Sequence, residues 1–140
     1  MKTVVVDASV VAAALFSEPH SAAARALLVA GDGLYAPDLV YAEVANVIWK
    51  RHRRGEIDEK DAADLLDDVM RLPLKITPSQ QLAGPALALA LRTGRTAYDC
   101  LYLALAVQTN GVMVSNDRRL INSLASGPLK RHVAWLGQTN

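Results

Sequence analysis

The sequence predicts a three-layer α/β fold in which a central parallel sheet of four to five strands is flanked by helices. Short β-branched runs, at residues 3–6 and 112–114, are typical of strands buried on both faces. Segments rich in alanine and leucine, which are strong helix formers, lie between the strand candidates. Strands that alternate with helices indicate a parallel sheet. The aromatic share of only 5% also favours helix-on-sheet packing over an all-β sandwich.

The first half of the chain is predicted to begin with a strand and to contain three helices. Pro19 suits the first turn of a helix, and Gly31-Asp32-Gly33 ends that helix. Pro37 opens the next helix, which stops at Gly55. The predicted elements are, in order, a strand at 3–6, helices at 8–16 and 19–30, a strand at 34–36 and a helix at 37–54.

The second half alternates in the same way. An acidic start at 58–61 favours a helix, because carboxylates there oppose the positive end of the helix dipole. Thr96 is the predicted N-cap of a later helix that stops at Gly111. The predicted elements are, in order, a helix at 58–72, a strand at 74–76, helices at 77–93 and 96–110, a strand at 112–115, a short helix at 118–125 and a strand at 131–135.

Length and composition indicate one globular domain, predicted to span residues 1–140. A hydrophobic content of 51% with 21% charged residues excludes a disordered chain. The net charge of +1 gives no argument for binding to nucleic acid or to a membrane. A polyanion would therefore need local basic patches or metal ions to hold it.

Cysteine usage and hydropathy indicate a cytoplasmic protein. The single cysteine, Cys100, excludes an intramolecular disulfide and a cysteine zinc cluster, and it fits a reducing compartment. Met1-Lys2 and the apolar residues after them resemble a secretion signal, but Asp7 interrupts the apolar segment. No run of about 18 uncharged apolar residues occurs, so no transmembrane helix is expected.

Two carboxylates follow apolar strands. Asp7 ends the first β-branched run, and Asp117 follows the strand at 112–115 after one polar residue. The carboxyl ends of parallel strands share one edge of a sheet, which is where α/β proteins build their sites. Both acids are therefore candidates for one site. Asp is also a common helix N-cap, so a purely capping role stays open for each of them.

Glu43 interrupts the apolar stripe of the helix at 37–54. It lies three residues after Val40 and four before Val47. A carboxylate on a core-facing stripe is costly unless it is paired, hydrogen-bonded or bound to metal. The alternative is that Glu43 reaches the rim of the core or pairs with an arginine. Asn46, close to the same stripe, is a candidate hydrogen-bonding neighbour.

Asp99 is the only charged residue in a helix that is apolar almost all round. Such a helix is expected to be buried centrally. The three-residue spacing from Thr96 by itself favours a capping box. The two roles are compatible, because a helix N-terminus can also direct a carboxylate into a site.

The four acids suggest a particular class of metal. With no cysteine cluster and only three scattered histidines, oxygen ligands suit Mg²⁺ or Mn²⁺ rather than zinc. Without a cation, clustered carboxylates repel one another and would partly protonate. With one, they can orient a phosphodiester and activate water.

Other polar residues are weaker candidates. The basic run at 50–54 either contacts RNA or compensates the negative end of a helix dipole. Arg118 and Arg119 either hold phosphate or balance the charge of Asp117. Ser9 either binds a ligand or caps a turn.

The candidate acids lie in four motifs: Val-Val-Val-Asp7-Ala-Ser9, Tyr41-Ala-Glu43-Val-Ala-Asn46, Thr96-Ala-Tyr98-Asp99-Cys-Leu-Tyr102-Leu-Ala-Leu-Ala and Val114-Ser115-Asn116-Asp117-Arg118-Arg119-Leu. These motifs resemble the PIN domain family and, more narrowly, the VapC-type toxins of toxin–antitoxin pairs. The resemblance covers essentially the whole chain. It implies a PIN-like parallel α/β fold, an acidic pocket for Mg²⁺ or its substitute Mn²⁺, and endonucleolytic cleavage of RNA.

The same resemblance implies roles and partners. The catalytic and metal-binding role falls to four acids, with the first and third as the direct ligands: Asp7, Glu43, Asp99 and Asp117. The supporting groups would be Ser9, Asn116 and Ser115, which stands where the family often has threonine. The family also implies a homodimer and a cognate VapB-like antitoxin, for which the helical pair at 37–72 is the expected docking surface.

Three other interpretations stay open. A phosphatase of the haloacid-dehalogenase kind would use Asp7 as nucleophile, but such enzymes carry a second Asp where this chain has Ser9. A response-regulator receiver would need an acidic pair after the first strand and a lysine at a late strand end, and neither is found. A PIN-like module could bind RNA or protein without nuclease activity, although all four acids are present.

Overall fold

Parallel strands form the centre of the protein, in the order β3-β2-β1-β4-β5. The structure, a computed structural model, describes residues 2–30 and 33–138. Within these ranges the strands are β1 (Val4–Val6), β2 (Leu34–Pro37), β3 (Lys75–Thr77), β4 (Val112–Ser115) and β5 (Val133–Trp135). The flanking helices are α1 (Ala8–Leu15), α2 (Ser21–Ala30), α3 (Leu39–Arg53), α4 (Glu59–Met70), α5 (Ser79–Thr93), α6 (Ala97–Gln108) and α7 (Arg118–Leu124). The predicted fold class is confirmed.

The core is built around β1 and α6. β1 pairs in parallel with β2 on one side and with β4 on the other, and its residues Val5 and Val6 are fully buried. α6 packs against these three strands and against α5. Residues 100–106 of α6 are all buried, as expected of a helix that is apolar almost all round.

Local capping signals set several helix boundaries where the sequence predicted them. The Asp58 carboxylate accepts a hydrogen bond from the Asp61 N–H at 2.8 Å and caps α4. The Thr96 hydroxyl accepts one from the Asp99 N–H at 3.1 Å and caps α6. Gly94 ends α5 in the left-handed conformation, with φ of 74°, which glycine adopts without strain.

Pro37 does not open a helix, contrary to the prediction. It is the last residue of β2, in register with Thr77 of β3, and α3 begins at Leu39. The pairing of β2 with β1 extends only to Tyr35, so the missing N–H of Pro37 removes no hydrogen bond from that side. The expected docking pair at 37–72 is accordingly α3 and α4, at 39–53 and 59–70.

Other boundaries differ by a few residues. α6 ends at Gln108, before the predicted stop at Gly111, and Asn110 has a positive φ of 52°. The last strand begins at Val133, because residues 130–132 form a 3₁₀ turn; a second such turn, Leu136–Gln138, follows β5. The predicted stop at Gly31-Asp32 lies outside the described residues. Over 2–30 and 33–138, no helix has the length and apolar character needed to cross a membrane.

Candidate active site

The four acids singled out in the sequence line a single cavity of about 290 Å³. They come from four different parts of the fold: Asp7 follows β1, Glu43 lies on α3, Asp99 on α6, and Asp117 follows β4. The same cavity is lined by Ser9, Asn46, Lys50 and Tyr102. The structure thus brings the four acids together, whereas their chemical roles stay a prediction.

The cavity lies where α/β folds usually bind ligands. From β1 the chain moves outward through β2 and β3, then returns to place β4 on the other side of β1. The carboxyl ends of β1 and β4 therefore flank the point at which the direction of winding reverses. Open parallel sheets bind ligands at this switch point. Asp7 and Asp117 follow these two strands.

A larger groove of about 700 Å³ runs along α2, between Pro19 and Ala30. Among residues 2–30 and 33–138, those that line it are alanine, leucine, proline, glycine and one histidine, with no carboxylate. Chemistry rather than size therefore selects the smaller, acidic cavity as the candidate active site.

Asp7 combines helix capping with burial in the cavity wall. Its Oδ1 accepts hydrogen bonds from the N–H groups of Ser9, at 3.0 Å, and Val10, at 3.3 Å, at the start of α1. The residue is only 8% exposed. Burial raises the pKa of this carboxyl to about 6, against the opposing effect of hydrogen bonds from Ser115, Ser9 and the α1 backbone. Asp7 therefore caps α1, a role that the sequence alone left open, and it also lines the cavity.

Ser9 joins the ends of β1 and β4. Its hydroxyl donates to the Asp7 carboxylate and accepts from the backbone N–H of Asn116 at 2.8 Å. Ser115 Oγ lies 3.3 Å from Ser9 Oγ and accepts from the Asp117 N–H at 3.0 Å. Ser9 and Ser115 thus fix the two strand-end acids relative to each other. Asn116 contributes its backbone N–H, and its side chain does not line the cavity.

Asp117 is exposed and Asp99 is half-buried, so both are more accessible than Asp7. Asp117 Oδ1 accepts from the Leu120 N–H at 3.1 Å and caps α7. Asp99 lies at the start of α6, where its backbone N–H, not its carboxylate, makes the bond to Thr96. The Asp99 carboxylate is 3.6 Å from the Arg95 guanidinium. The carboxylate of Asp99 does not bond back to Thr96, as it would in a complete capping box. It pairs with Arg95 instead and lines the cavity.

Glu43 is held by a buried tyrosine. The Tyr102 hydroxyl, on α6, donates to Glu43 Oε1 at 2.6 Å, and Tyr102 is only 2% exposed. Burial and the charge of Asp99 raise the pKa of Glu43, and the Tyr102 bond opposes that shift. Burial, then the bond to Glu43, raises the pKa of Tyr102, which keeps it a donor. Glu43 forms no ion pair with an arginine of the described chain; its partner is the hydroxyl of Tyr102.

Two residues with polar groups in the lining, Tyr102 and Lys50, were not identified as site residues from the sequence. Tyr102 carries a hydroxyl on a helix predicted to be buried all round, and a buried tyrosine usually has a hydrogen-bond partner. That rule would have pointed to a polar neighbour. Lys50 lies seven residues after Glu43, a spacing that places both on one face of α3.

Arg118 and Arg119 lie outside the lining of the cavity. Arg118 follows Asp117 directly in sequence. Its guanidinium stacks over the Trp135 ring, 4.6 Å from the ring centroid. Arg119 is exposed. Their proposed contact with RNA stays a prediction.

The burial of Asp7 predicts a pH dependence of stability in metal-free protein. A carboxyl with a pKa near 6 when folded and 3.8 as a free side chain takes up a proton more readily in the folded state. Its contribution to stability is therefore full below about pH 4 and is lost as pH rises through about 6. Between pH 7 and pH 5 we expect a gain of about 1 kcal/mol, or about 3 °C in Tm.

Thermal denaturation with a chelator present measures this gain. Other groups titrate in the same range, so the informative quantity is the difference from Asp7→Asn, which cannot titrate at this position. The variant is expected to show a smaller rise in Tm on acidification. An equal rise in both proteins would contradict the assignment of the effect to Asp7.

Fold and cavity together define a parallel α/β protein with an acidic pocket at the switch point of its sheet. A sequence model of the PIN domain matches residues 4–125. Ribonuclease VapC3 from Pyrobaculum aerophilum is 37% identical over 118 residues, which cover 83% of this chain and 90% of that protein. Ribonuclease VapC9 from Mycobacterium tuberculosis is 31% identical over 117 residues, 84% of this chain and 87% of that protein. The chain belongs to the PIN domain family.

Solved structures agree on the fold. A crystal structure of a Pyrobaculum aerophilum protein superimposes with a TM-score of 0.73 at 24% identity, covering 97% of this chain and 85% of that one. The Mycobacterium tuberculosis toxin VapC20, described as cleaving the sarcin–ricin loop, has a TM-score of 0.63 at 14% identity, covering 81% and 88% respectively. At these identities the likeness supports the fold alone.

Proposed function

We propose that this protein is a metal-dependent endoribonuclease, the toxin of a VapBC-type toxin–antitoxin pair. The observation that carries the proposal is the convergence of four carboxylates, from four separate elements, on one cavity at the switch point of the sheet. The relatives named as VapC ribonucleases support the same activity and extend over most of the chain.

The donor set fits Mg²⁺, with Mn²⁺ as a substitute. Within 2–30 and 33–138, no group of three or more Asp, Glu, His or Cys side chains is arranged to hold a metal ion by itself. Mg²⁺ does not need such a group, because it keeps several waters and uses only one or two carboxylates. We assign Asp7 and Asp99 as direct ligands, with Glu43 and Asp117 completing the acidic site. The cation would neutralise phosphodiester charge and make water more acidic.

The chain's own residues would then orient and deprotonate water. Tyr102 fixes Oε1 of Glu43, and Glu43 Oε2 makes no hydrogen bond to the rest of the described chain. We assign Glu43 Oε2 as the acceptor of the proton from the attacking water. The water oxygen would form the new bond to phosphorus, and the bond from phosphorus to the sugar oxygen would break. That oxygen would take up a proton from solvent, and Glu43 would release to solvent the proton it accepted.

RNA outside the cavity would be held by Arg118. Stacking on Trp135 restricts the guanidinium, and Arg118 has no ion pair among the described residues. A pre-positioned arginine that keeps its N–H donors free suits a phosphate. Arg119, which has no such stacking contact among the described residues, is the weaker candidate.

The proposed partners fit two exposed apolar surfaces. The groove between α3 and α4, lined by Ile48, the half-exposed Trp49 and Leu66, is the docking surface we propose for a VapB-like antitoxin. Leu87, Leu91 and Tyr98 are exposed at α5 and the start of α6, and we propose this surface for a homodimer.

Cleavage of RNA by the purified protein tests the proposed function. We expect cleavage with Mg²⁺ or Mn²⁺, its loss on addition of EDTA, and its return when excess Mn²⁺ is supplied. The cation should also raise Tm, because a ligand that binds only the folded state stabilises it by about 2.7 kcal/mol at a hundred times its Kd.

Two outcomes would contradict the proposal. Undiminished cleavage in EDTA would exclude the metal, and RNA binding without cleavage under all metal conditions would indicate a PIN domain that serves as a binding module.

A further inference from the structure

Among the residues that the structure describes, one basic side chain, that of Lys50, lines the cavity together with the four acids. We propose that Lys50 binds a phosphate of the RNA substrate, at the mouth of the cavity and beside the cleavage site. The proposal rests on the proposed function, since it takes RNA as the substrate. It assigns one member of the basic run at 50–54 to the site and leaves the others outside it.

The neighbours of Lys50 in the basic run have structural roles. Arg51 forms an ion pair with Glu18 at 2.9 Å and stacks over Phe16, 4.3 Å from the ring centroid. His52 Nδ1 lies 2.9 Å from the Ile57 carbonyl oxygen. None of these three basic neighbours lines the cavity: Arg51, His52 and Arg53. The dipole-compensating interpretation therefore suits this part of the run.

The geometry of α3 explains why Lys50 is different. Asn46 and Val47 lie one turn after Glu43 and one turn before Lys50, and all four residues line the cavity. They form a single face of α3, which carries a carboxylate at one position and an ammonium group two turns later. The lysine is exposed, so its ammonium group is accessible to a ligand entering from solvent.

Lys50 is unpaired within residues 2–30 and 33–138. No carboxylate there lies within 4.0 Å of its ammonium group, and its side chain has no hydrogen-bond partner there. Four carboxylates repel a polyanion, so an RNA backbone entering this cavity needs compensating positive charge besides the cation. A flexible lysine acts as such a point charge toward phosphate oxygens.

Binding of RNA to nuclease-inactive protein tests the proposal independently of catalysis. A labelled single-stranded RNA is titrated with Asp7→Asn and with Asp7→Asn/Lys50→Gln, over a series of salt concentrations. We expect Lys50→Gln to weaken binding about tenfold and to reduce the slope of log affinity against log salt by about 0.7. Arg53→Gln, in the same inactive background, is the matched control: it removes one positive charge from the same helix but outside the cavity, and a smaller effect is expected.

Two readouts in the active protein separate a phosphate contact from a structural role. Lys50→Gln is expected to raise KM for RNA, while the Mn²⁺-induced rise in Tm stays unchanged or increases. Lys50→Arg is expected to recover part of the affinity, because it restores the positive charge.

Other results would overturn the proposal. Equal losses of RNA affinity for Lys50→Gln and Arg53→Gln would show that Lys50 contributes only its general positive charge and no specific phosphate contact. A lower metal-free Tm for Lys50→Gln with unchanged RNA affinity would show that Lys50 stabilises the fold by offsetting the negative charge of the acids. If the wild-type protein binds RNA through Lys50 but never cleaves it, the proposed nuclease fails and the phosphate contact stands.

Discussion

Replacing Asp7 by asparagine is expected to reduce RNA cleavage about a thousandfold while the protein stays folded. The loss corresponds to ~4 kcal/mol of transition-state stabilisation, the scale expected when a charged metal ligand is removed. Asparagine keeps a side-chain oxygen that accepts from the α1 backbone, so the helix cap survives. It also removes a buried charge, so metal-free Tm at pH 7 should not fall. Initial rates of cleavage and thermal denaturation measure the two effects.

The matched control is Asp58→Asn. Asp58 caps α4 in the same way, but it lies outside the acidic cavity. It should leave the rate of cleavage unchanged. Asp99→Asn is expected to behave like Asp7→Asn in activity. Robust cleavage by a folded variant of either Asp7 or Asp99 would overturn the assignment of the direct ligands.

Gly111→Ala is expected to lower stability by about 3 kcal/mol, or about 10 °C in Tm. A Cβ at this position would lie 2.8 Å from Thr3 Cβ and 2.9 Å from the Thr3 carbonyl carbon. Backbone cannot yield as a flexible side chain does. The Val112 N–H, next in sequence, donates to the Thr3 carbonyl at 2.8 Å, so the clash falls at the start of the β1–β4 pairing. Chemical or thermal denaturation of the two proteins measures the difference.

Gly127→Ala provides the comparison for this glycine. A Cβ on Gly127 would have nothing within 4 Å, and the residue does not have a positive φ. The substitution should change stability by less than about 1 kcal/mol, with a gain expected because alanine restricts the unfolded chain. Similar Tm values for the Gly111 and Gly127 variants would show that the close approach to Thr3 is not a constraint.

Much of the fold followed from local chemistry that the sequence displays. The caps at Asp58 and Thr96 and the left-handed Gly94 act within a few residues of themselves, so the elements they bound were predicted closely. Pro37 was misjudged because its place depends on β3, forty residues away in register at Thr77. The close approach at Gly111 likewise depends on Thr3, at the other end of the chain.

The candidate site divides in the same way. The acids were recognisable because a carboxylate at a strand end or on an apolar stripe is out of place by burial rules alone. The hydrogen bond between Glu43 and Tyr102 could not be recognised from the sequence. It joins two helices, α3 and α6, whose relative rotation no local pattern specifies. Lys50 was assigned with its basic neighbours, because only the orientation of α3 toward the cavity separates it from Arg51.

The central position of β1 has a consequence for synthesis of the protein. Val4 of β1 lies opposite Val112 of β4, so β1 is made well before one of its two partner strands. A ribosome adds about 5–20 residues per second, and a nascent chain that still lacks β4 has neither the second flank of β1 nor Asp117. The acidic cavity can therefore assemble only after β4 and Asp117 have been made. A nascent chain that ends before β4 therefore lacks the complete acidic cavity that we propose as the ribonuclease site.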